Sequence, residues 1–295
     1  MTSTPSLAER LGHQTGARLL IVNADDFGTH HGANVAIVEG FRHGSLSSTS
    51  LMVPCPWAAG AAIDTQRAVT DGVSMDVGVH LTLTSEWPKY RWASIIGDPI
   101  LRGDDGRMHV SHAEFHRAMA AAGAAGLAAV RAECAAQIEL ALTWGVDVTH
   151  LDGHMGVIYS SAELLDIIID LAVEYRLPMR MVSPSHERSM GFDCRRPAAD
   201  RGVLFPDSFV ETYLDARPQH ERVLAALRPG VTEILLHPSI ASADMFAAFD
   251  DAAERVANYE FTLPGGGLQE LVARHWTRLI GFRALRDAQR GDVDY

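Results

Sequence analysis

The sequence predicts an α/β chain folded as an irregular (β/α) barrel of about seven parallel strands. Two observations lead there. Short runs rich in β-branched and aliphatic residues alternate with longer segments of helical periodicity from Arg18 onward, which implies repeated βαβ units and a parallel sheet. The alternative parallel-sheet fold, a dinucleotide-binding domain, lacks its G-x-G-x-x-G after the first strand, and no Walker A motif occurs.

The elements follow in order. Residues 1–17 are polar and are expected to be frayed or disordered, leaving 18–295 as a single domain. Leu19–Ala24 reads as a strand and Ala33–Arg42 as a helix. Thr49–Val53 and Val77–Leu83 are strands on either side of a helical stretch, Pro56–Val69. An Ala-rich segment from about Ala113 to Thr143 is helical, interrupted by Gly123 and Gly126. Val148–Leu151 is a strand, and Ala162–Tyr175 carries Leu164, Leu165, Ile168, Leu171 and Ala172 at helical spacing. Met179–Val182, Leu204–Phe205 and Glu233–Leu236 complete the strands. Two long segments, Thr84–Val110 and Ser183–Arg201, follow predicted strands and so belong at the C-terminal face of the sheet, where barrel enzymes keep their sites.

Bulk composition narrows the function classes. The 295 residues are 47% hydrophobic and 21% charged, with a formal net charge of −12; an acidic surface and the lack of a basic run argue against nucleic acid as a partner. Three well-separated cysteines and no CxxC pair suit a reducing compartment. No signal-peptide pattern and no 18-residue apolar span are present, so the expectation is a soluble cytoplasmic protein with no membrane partner. The apolar C-terminal text HWTRLIGFRALRD is either a core helix or an interface in a homo-oligomer.

Ionisable residues gather at the predicted strand ends. Strand one ends in Asp25-Asp26, strand three buries His80 in VGVHLTL, and strand four ends in His150, Asp152 and His154. Arg180 lies on strand five, and His237 closes the apolar run EILLHP. Taken singly, each has an ordinary reading: an Asp-Asp turn, a core histidine, a capped loop, a strand stop. Together they require several unrelated coincidences, and one shared site explains them better. Metal chemistry supplies a reason. A divalent ion suits two imidazoles and one carboxylate with positions left open, and a second carboxylate beside it can take a proton from water acidified by the ion. The cation also offsets the repulsion between adjacent aspartates.

Three motifs, NADDFG (23–28), GVHLTL (78–83) and THLDGH (149–154), with His-Pro at 237–238, resemble the YdjC/ChbG-like carbohydrate deacetylase family over about Arg18 to Arg290. The resemblance implies an irregular, deacetylase-type (β/α) barrel, one divalent metal ion (Mg or Zn) and removal of an acetyl group from an N-acetylated sugar such as a chitooligosaccharide. It implies Asp26, His80 and His154 as ligands, Asp25 as general base, His237 as general acid and Arg180 as the group holding Asp25. His150 and Asp152 lie near enough in sequence to orient the ligands. Trp87, Tyr90 and Trp92 are candidates for stacking on a small-molecule sugar substrate, or for covering the barrel mouth. The sequence departs from the family after the third motif, where HMGVIYS replaces a His-rich continuation. Two rival functions stay open: a sugar-binding or regulatory protein that retains the metal site, and a metal hydrolase of a non-sugar amide or a phosphoester.

Overall fold

The computed structural model describes residues 5–210, 216–275 and 277–291, without the side chains of 216–219. Among the described residues seven strands form one all-parallel sheet: β1 (Arg18–Phe27), β2 (Ser48–Leu51), β3 (Val77–Leu81), β4 (Val148–Gly153), β5 (Ser208–Val210), β6 (Gly230–Leu236) and β7 (Arg278–Leu279). Their order is β4-β3-β2-β1-β6-β5, and β7 adds to the first half of β1 before β2 begins. The sheet curls without closing. The gap between β4 and β5 is crossed by the expected strand Met179–Val182, which makes a single bridge to Leu151, and whose Met179 N–H donates to the Leu204 carbonyl. Pro178 cannot donate to a ladder, which fits a stave reduced to one bridge. The expected strand at 204–205 is likewise replaced by β5, a few residues later.

Period-two alternation divides the sheet into an outside and an inside. On β1 the even positions Leu20, Val22 and Ala24 join the large core shared with the helices, while Leu19 and Ile21 face inward. There they meet Val231, Phe282 and Leu285, an apolar plug at the N-terminal end of the barrel. The C-terminal text therefore forms a core helix, Phe282–Arg290, whose Phe282 and Leu285 are fully buried. Above the plug the same inward positions turn polar: Asn23 and Asp25 on β1, Glu233 on β6, and His150 and Asp152 on β4 are all buried. The chain thus builds a dry floor and places its ionisable groups over it.

The helices sit close to their expected ranges, and the Ala-rich segment divides at Gly123 (φ +55°) into His112–Ala122 and Ala124–Thr143. The N-terminus differs from expectation within the described residues. Leu7–Arg10 is a helical turn with a Ser6–Glu9 capping box, and its Ala8 packs into the plug. Residues 1–4 lie outside the described residues. The three cysteines are free and buried, and among the described residues no helix is long and apolar enough to cross a membrane.

Candidate active site

Asp25 and Asp26 are neighbours on a strand, where consecutive side chains point to opposite faces. Here β1 is bulged. Ala24 pairs with Thr49 and Phe27 with Leu51, so three steps on β1 match two on β2. Asp26 takes φ +68°, a left-handed conformation unusual for a residue with a side chain. The bulge turns both carboxylates toward the cavity at the C-terminal end of the sheet, and both line it. Strain of about 1–3 kcal/mol of this kind persists only where the surroundings enforce it.

Around Asp26 stand two imidazoles. His80 Nε2 lies 3.6 Å and His154 Nδ1 3.5 Å from Asp26 Oδ1. Each ring gives its other nitrogen to a carboxylate: His80 Nδ1 is 2.7 Å from Asp152, and His154 Nε2 is 2.9 Å from Glu86. With the N–H on the nitrogen facing each carboxylate, both rings turn an unprotonated nitrogen toward Asp26. Asp152 is fixed in turn by Ser50, whose hydroxyl donates to Oδ2 at 2.8 Å, and by Arg180 at 3.2 Å. Burial works against the protonated form of His154, but Glu86 and Asp26 outweigh it and raise its pKa to about 10. His80 shifts upward for the same reason, through Asp152 and Asp25. The pocket thus draws positive charge to these two nitrogens, which a bound cation would supply instead.

Asp25 is differently placed. Arg180 grips it end-on, Nη1 and Nη2 donating to its two oxygens at 2.7 Å each, and Asn23 Nδ2 adds a third donor at 2.7 Å. Burial favours the neutral acid, yet Arg180 wins and the carboxyl titrates below its ordinary range. Asp26 is also held well below the carboxylate range: burial pushes upward, and Arg255 and His154 pull it down further.

Among the described residues, ligand-competent atoms lie within 4.8 Å of one another in two buried sets, Asp26-His80-His154 and Asp25-His80-Asp152. Hydrogen bonding separates them. Every carboxylate oxygen of Asp25 and Asp152 already accepts a hydrogen bond. Neither oxygen of Asp26 accepts one, although both are buried and Arg255 Nη1 approaches Oδ2 to 2.8 Å. Arg255 offsets the charge at Oδ2, whereas Oδ1, between the two imidazoles, is buried without a donor, which is costly unless a cation takes it. The Asp26 set, two imidazoles and one carboxylate, fits a divalent ion.

The other expected site residues fall into two groups. His237 lines the same cavity, with its backbone N–H held by Asn258 at 2.8 Å. Burial holds its imidazole below the ordinary histidine range, and the pull of Asp26 the other way is smaller. His150 does not reach the ligands. Its ring lies one layer lower, stacked on Phe282 at 3.9 Å and 4.0 Å from Asp152, and burial lowers its pKa to about 3. Of the aromatic candidates, Trp87 reaches the cavity. Trp92 is buried behind it with its Nε1 on the Thr84 carbonyl, and Tyr90 spends its hydroxyl on the Thr29 carbonyl; neither lines the cavity, so both pack the wall and do not meet a ligand there.

Three ionisable residues that the sequence reading passed over belong to the site. Glu86 orients His154. Arg255 lies against Asp26, anchored by Asp251 at 2.9 Å and covered by the rings of Trp87 and Phe249. Glu233 accepts from Arg180 Nε at 2.8 Å inside the barrel. The cavity over these groups measures about 760 Å³, room for a sugar of more than one ring.

A half-barrel of parallel strands with an aspartate pair, two carboxylate-oriented histidines and an arginine-clamped aspartate at its C-terminal rim defines a class: parallel-sheet α/β proteins with a buried polar site at the strand ends, whose residues could hold a cation. The family is specific. The model of the YdjC-like proteins matches residues 19–270, and the chain belongs to that family. A carbohydrate deacetylase of Thermus thermophilus is 31% identical over 96% of this chain and 98% of its own length. Carbohydrate deacetylases of Thermoanaerobacter pseudethanolicus and Geobacillus stearothermophilus are 29% and 28% identical, covering 82% and 90% of this chain and 86% and 97% of their own. A crystal structure from Enterococcus faecalis, of a protein named for cellobiose-phosphate cleavage, shares the fold with a TM-score of 0.75 at 23% identity, over 91% of this chain and 99% of that one.

Proposed function

We propose that this protein is a metal-dependent deacetylase that hydrolyses the acetamido group of an N-acetylated sugar of the chitooligosaccharide type. The observation that carries the reading is the buried carboxylate of Asp26, neither oxygen in an aligned hydrogen bond, facing two imidazoles and flanked by Arg255, beside an Asp25 whose charge is fixed by Arg180. The carbohydrate deacetylases to which the chain is similar support the substrate class.

Asp26, His80 and His154 would hold the ion. When bound, a divalent ion polarises the amide carbonyl and brings the pKa of water toward about 7. Asp25, ionised at neutral pH, takes the proton from the attacking water, whose oxygen adds to the carbonyl carbon. The C–N bond then breaks, and the leaving nitrogen takes up a proton. His237 is neutral in the free site, so the proton it delivers is the one the water gives up, relayed to the departing nitrogen as positive charge develops there. Acetate and a free amino sugar leave. Trp87, backed by Phe249 at 4.2 Å, offers an apolar edge to a sugar ring.

The test is acetate release from N,N′-diacetylchitobiose and its longer homologues with Zn or Mg supplied. The wild type is expected to turn them over, and Asp25→Asn to fall by about 10²–10⁴ with metal content unchanged. Full activity in that variant would remove Asp25 from the mechanism. Binding of the sugar without any acetate release would favour a sugar-binding protein, and phosphate release from phosphorylated sugars would favour a phosphoesterase.

A further inference from the structure

The mechanism above gives no work to Glu233, yet it is among the most completely buried carboxylates in the chain. It sits mid-strand on β6 opposite Ile21 of β1 and Phe209 of β5, inside the barrel, just above the apolar plug. Its Oε1 accepts from Arg180 Nε at 2.8 Å, and its Oε2 has no hydrogen-bond partner. Burial, reinforced by the charges of Asp152 and Asp25, raises its pKa to about 8 despite Arg180. Its charge also acts on the buried Tyr159 hydroxyl.

Arg180 needs an anchor. Its main chain is held, with its N–H donating to the Leu151 carbonyl at 2.9 Å and the Tyr159 hydroxyl donating to its carbonyl at 2.8 Å, but these bonds do not fix the long side chain. Its side chain has several rotatable bonds and three carboxylates within reach, Asp25, Asp152 and Glu233. The end-on grip on Asp25 uses both terminal nitrogens and leaves Nε–H pointing the other way, to Glu233. Phe209 covers the guanidinium at 4.8 Å. With Nε pinned, rotation of the fork toward Asp152 breaks a hydrogen bond. Without the pin, Nε–H is buried and unsatisfied, and the fork gains by swinging.

We propose that Glu233 is a positioning residue for the deacetylation proposed above: by accepting from Arg180 Nε it keeps both terminal nitrogens on Asp25, so that the base meets the water in one orientation. What it supplies is an acceptor and not a charge. Substrate contacts do not pass through it, so its loss acts on kcat and leaves KM alone.

Glu233→Met, close in size and without an acceptor, is expected to lower kcat at least about ten-fold, as misplaced catalytic groups do, with KM and bound-metal stoichiometry unchanged. Glu233→Gln, which keeps an acceptor, restores most of the activity. Because Glu233 acts through Arg180, adding Glu233→Met to Arg180→Lys causes no further loss. Wild-type kcat in Glu233→Met, a Glu233→Gln protein as slow as Glu233→Met, or a full multiplicative loss in the double variant would each overturn the proposal. A crystal structure of Glu233→Met decides it without any turnover: a displaced guanidinium supports it, and an unchanged two-pronged grip on Asp25 refutes it. A wild type that releases no acetate would defeat the deacetylase reading and still leave that structural comparison to judge Glu233.

Discussion

Asp152→Asn is the substitution whose outcome the geometry dictates most tightly. It is isosteric, so the fold is not challenged by volume. The Asp152 oxygens face different partners: Oδ2 meets donors, the Ser50 hydroxyl at 2.8 Å and Arg180 at 3.2 Å, and Oδ1 meets His80 Nδ1 at 2.7 Å. In the variant the amide oxygen must stay with the two donors, because an NH₂ turned toward Arg180 would oppose like to like. The amide nitrogen then faces His80 Nδ1 and donates to it. The imidazole is driven into the opposite tautomer, with its N–H on Nε2, aimed at Asp26 3.6 Å away. A nitrogen that carries a hydrogen cannot ligate. Removing an outer carboxylate from a metal-bound histidine costs about 10–100-fold in affinity, and a forced tautomer belongs at the upper end, about 2.7 kcal/mol. Titration of the apoprotein with Zn by calorimetry, using a competing chelator, reads the change directly. A dissociation constant within about two-fold of wild type would refute the assignment of His80 Nε2 as a ligand atom.

Further expectations follow from other parts of the molecule. Asp76, buried and held by Thr149 and by Arg283 N at 2.6 Å, has its pKa raised from 3.8 to about 6 by burial. A raised carboxyl pKa means that the folded state binds the proton more tightly, so stability is complete below pH 4 and about 3 kcal/mol of it is lost as pH rises through 6. Urea unfolding at pH 4 and 7.5 should show that slope in the wild type and not in Asp76→Asn; equal slopes would contradict it. Gly78→Ala places a methyl 2.4 Å from the His150 ring, which is already stacked on Phe282, and should cost about 1–3 kcal/mol by overpacking. An unchanged melting temperature would show that the ring has room. Trp92→Ala should destabilise by about 3–5 kcal/mol as a core truncation, whereas Trp87→Ala should in addition raise KM for the sugar; an unaltered KM in Trp87→Ala would remove it from the binding surface.

The alternation of strands and helices was legible because parallel strands buried on both faces write continuous apolar runs, and the strand ends carrying Asp25, Asp26, His80, His154 and His237 were legible because those runs stop at ionisable residues. The pair at 25 and 26 needed the structure: a strand pattern alone sends them to opposite faces, and the bulge with its left-handed Asp26 is not written in residue type. Arg255 hides in a helix, Ala252–Thr262, of ordinary amphipathic spacing, and Glu86 in a loop. Glu233 did leave a trace, a lone charge inside TEILL, but an outward surface position writes the same trace unless the strand is known to line a barrel. His150 and Asp152 share one face of β4 and differ in depth, so spacing alone does not say which of them reaches His80. Aromatic content in the 84–110 segment likewise cannot separate Trp87 at the cavity from Trp92 and Tyr90 behind it.

The central claim is that Asp26, His80 and His154 make one cation site. Anomalous diffraction from crystals soaked with Zn tests it most directly. The expected result is one ion per chain, bonded at about 2.0–2.2 Å to an Asp26 oxygen, His80 Nε2 and His154 Nδ1, with Asp25 still in the grip of Arg180. An ion seated between Asp25, His80 and Asp152, or none at saturating Zn, would contradict it.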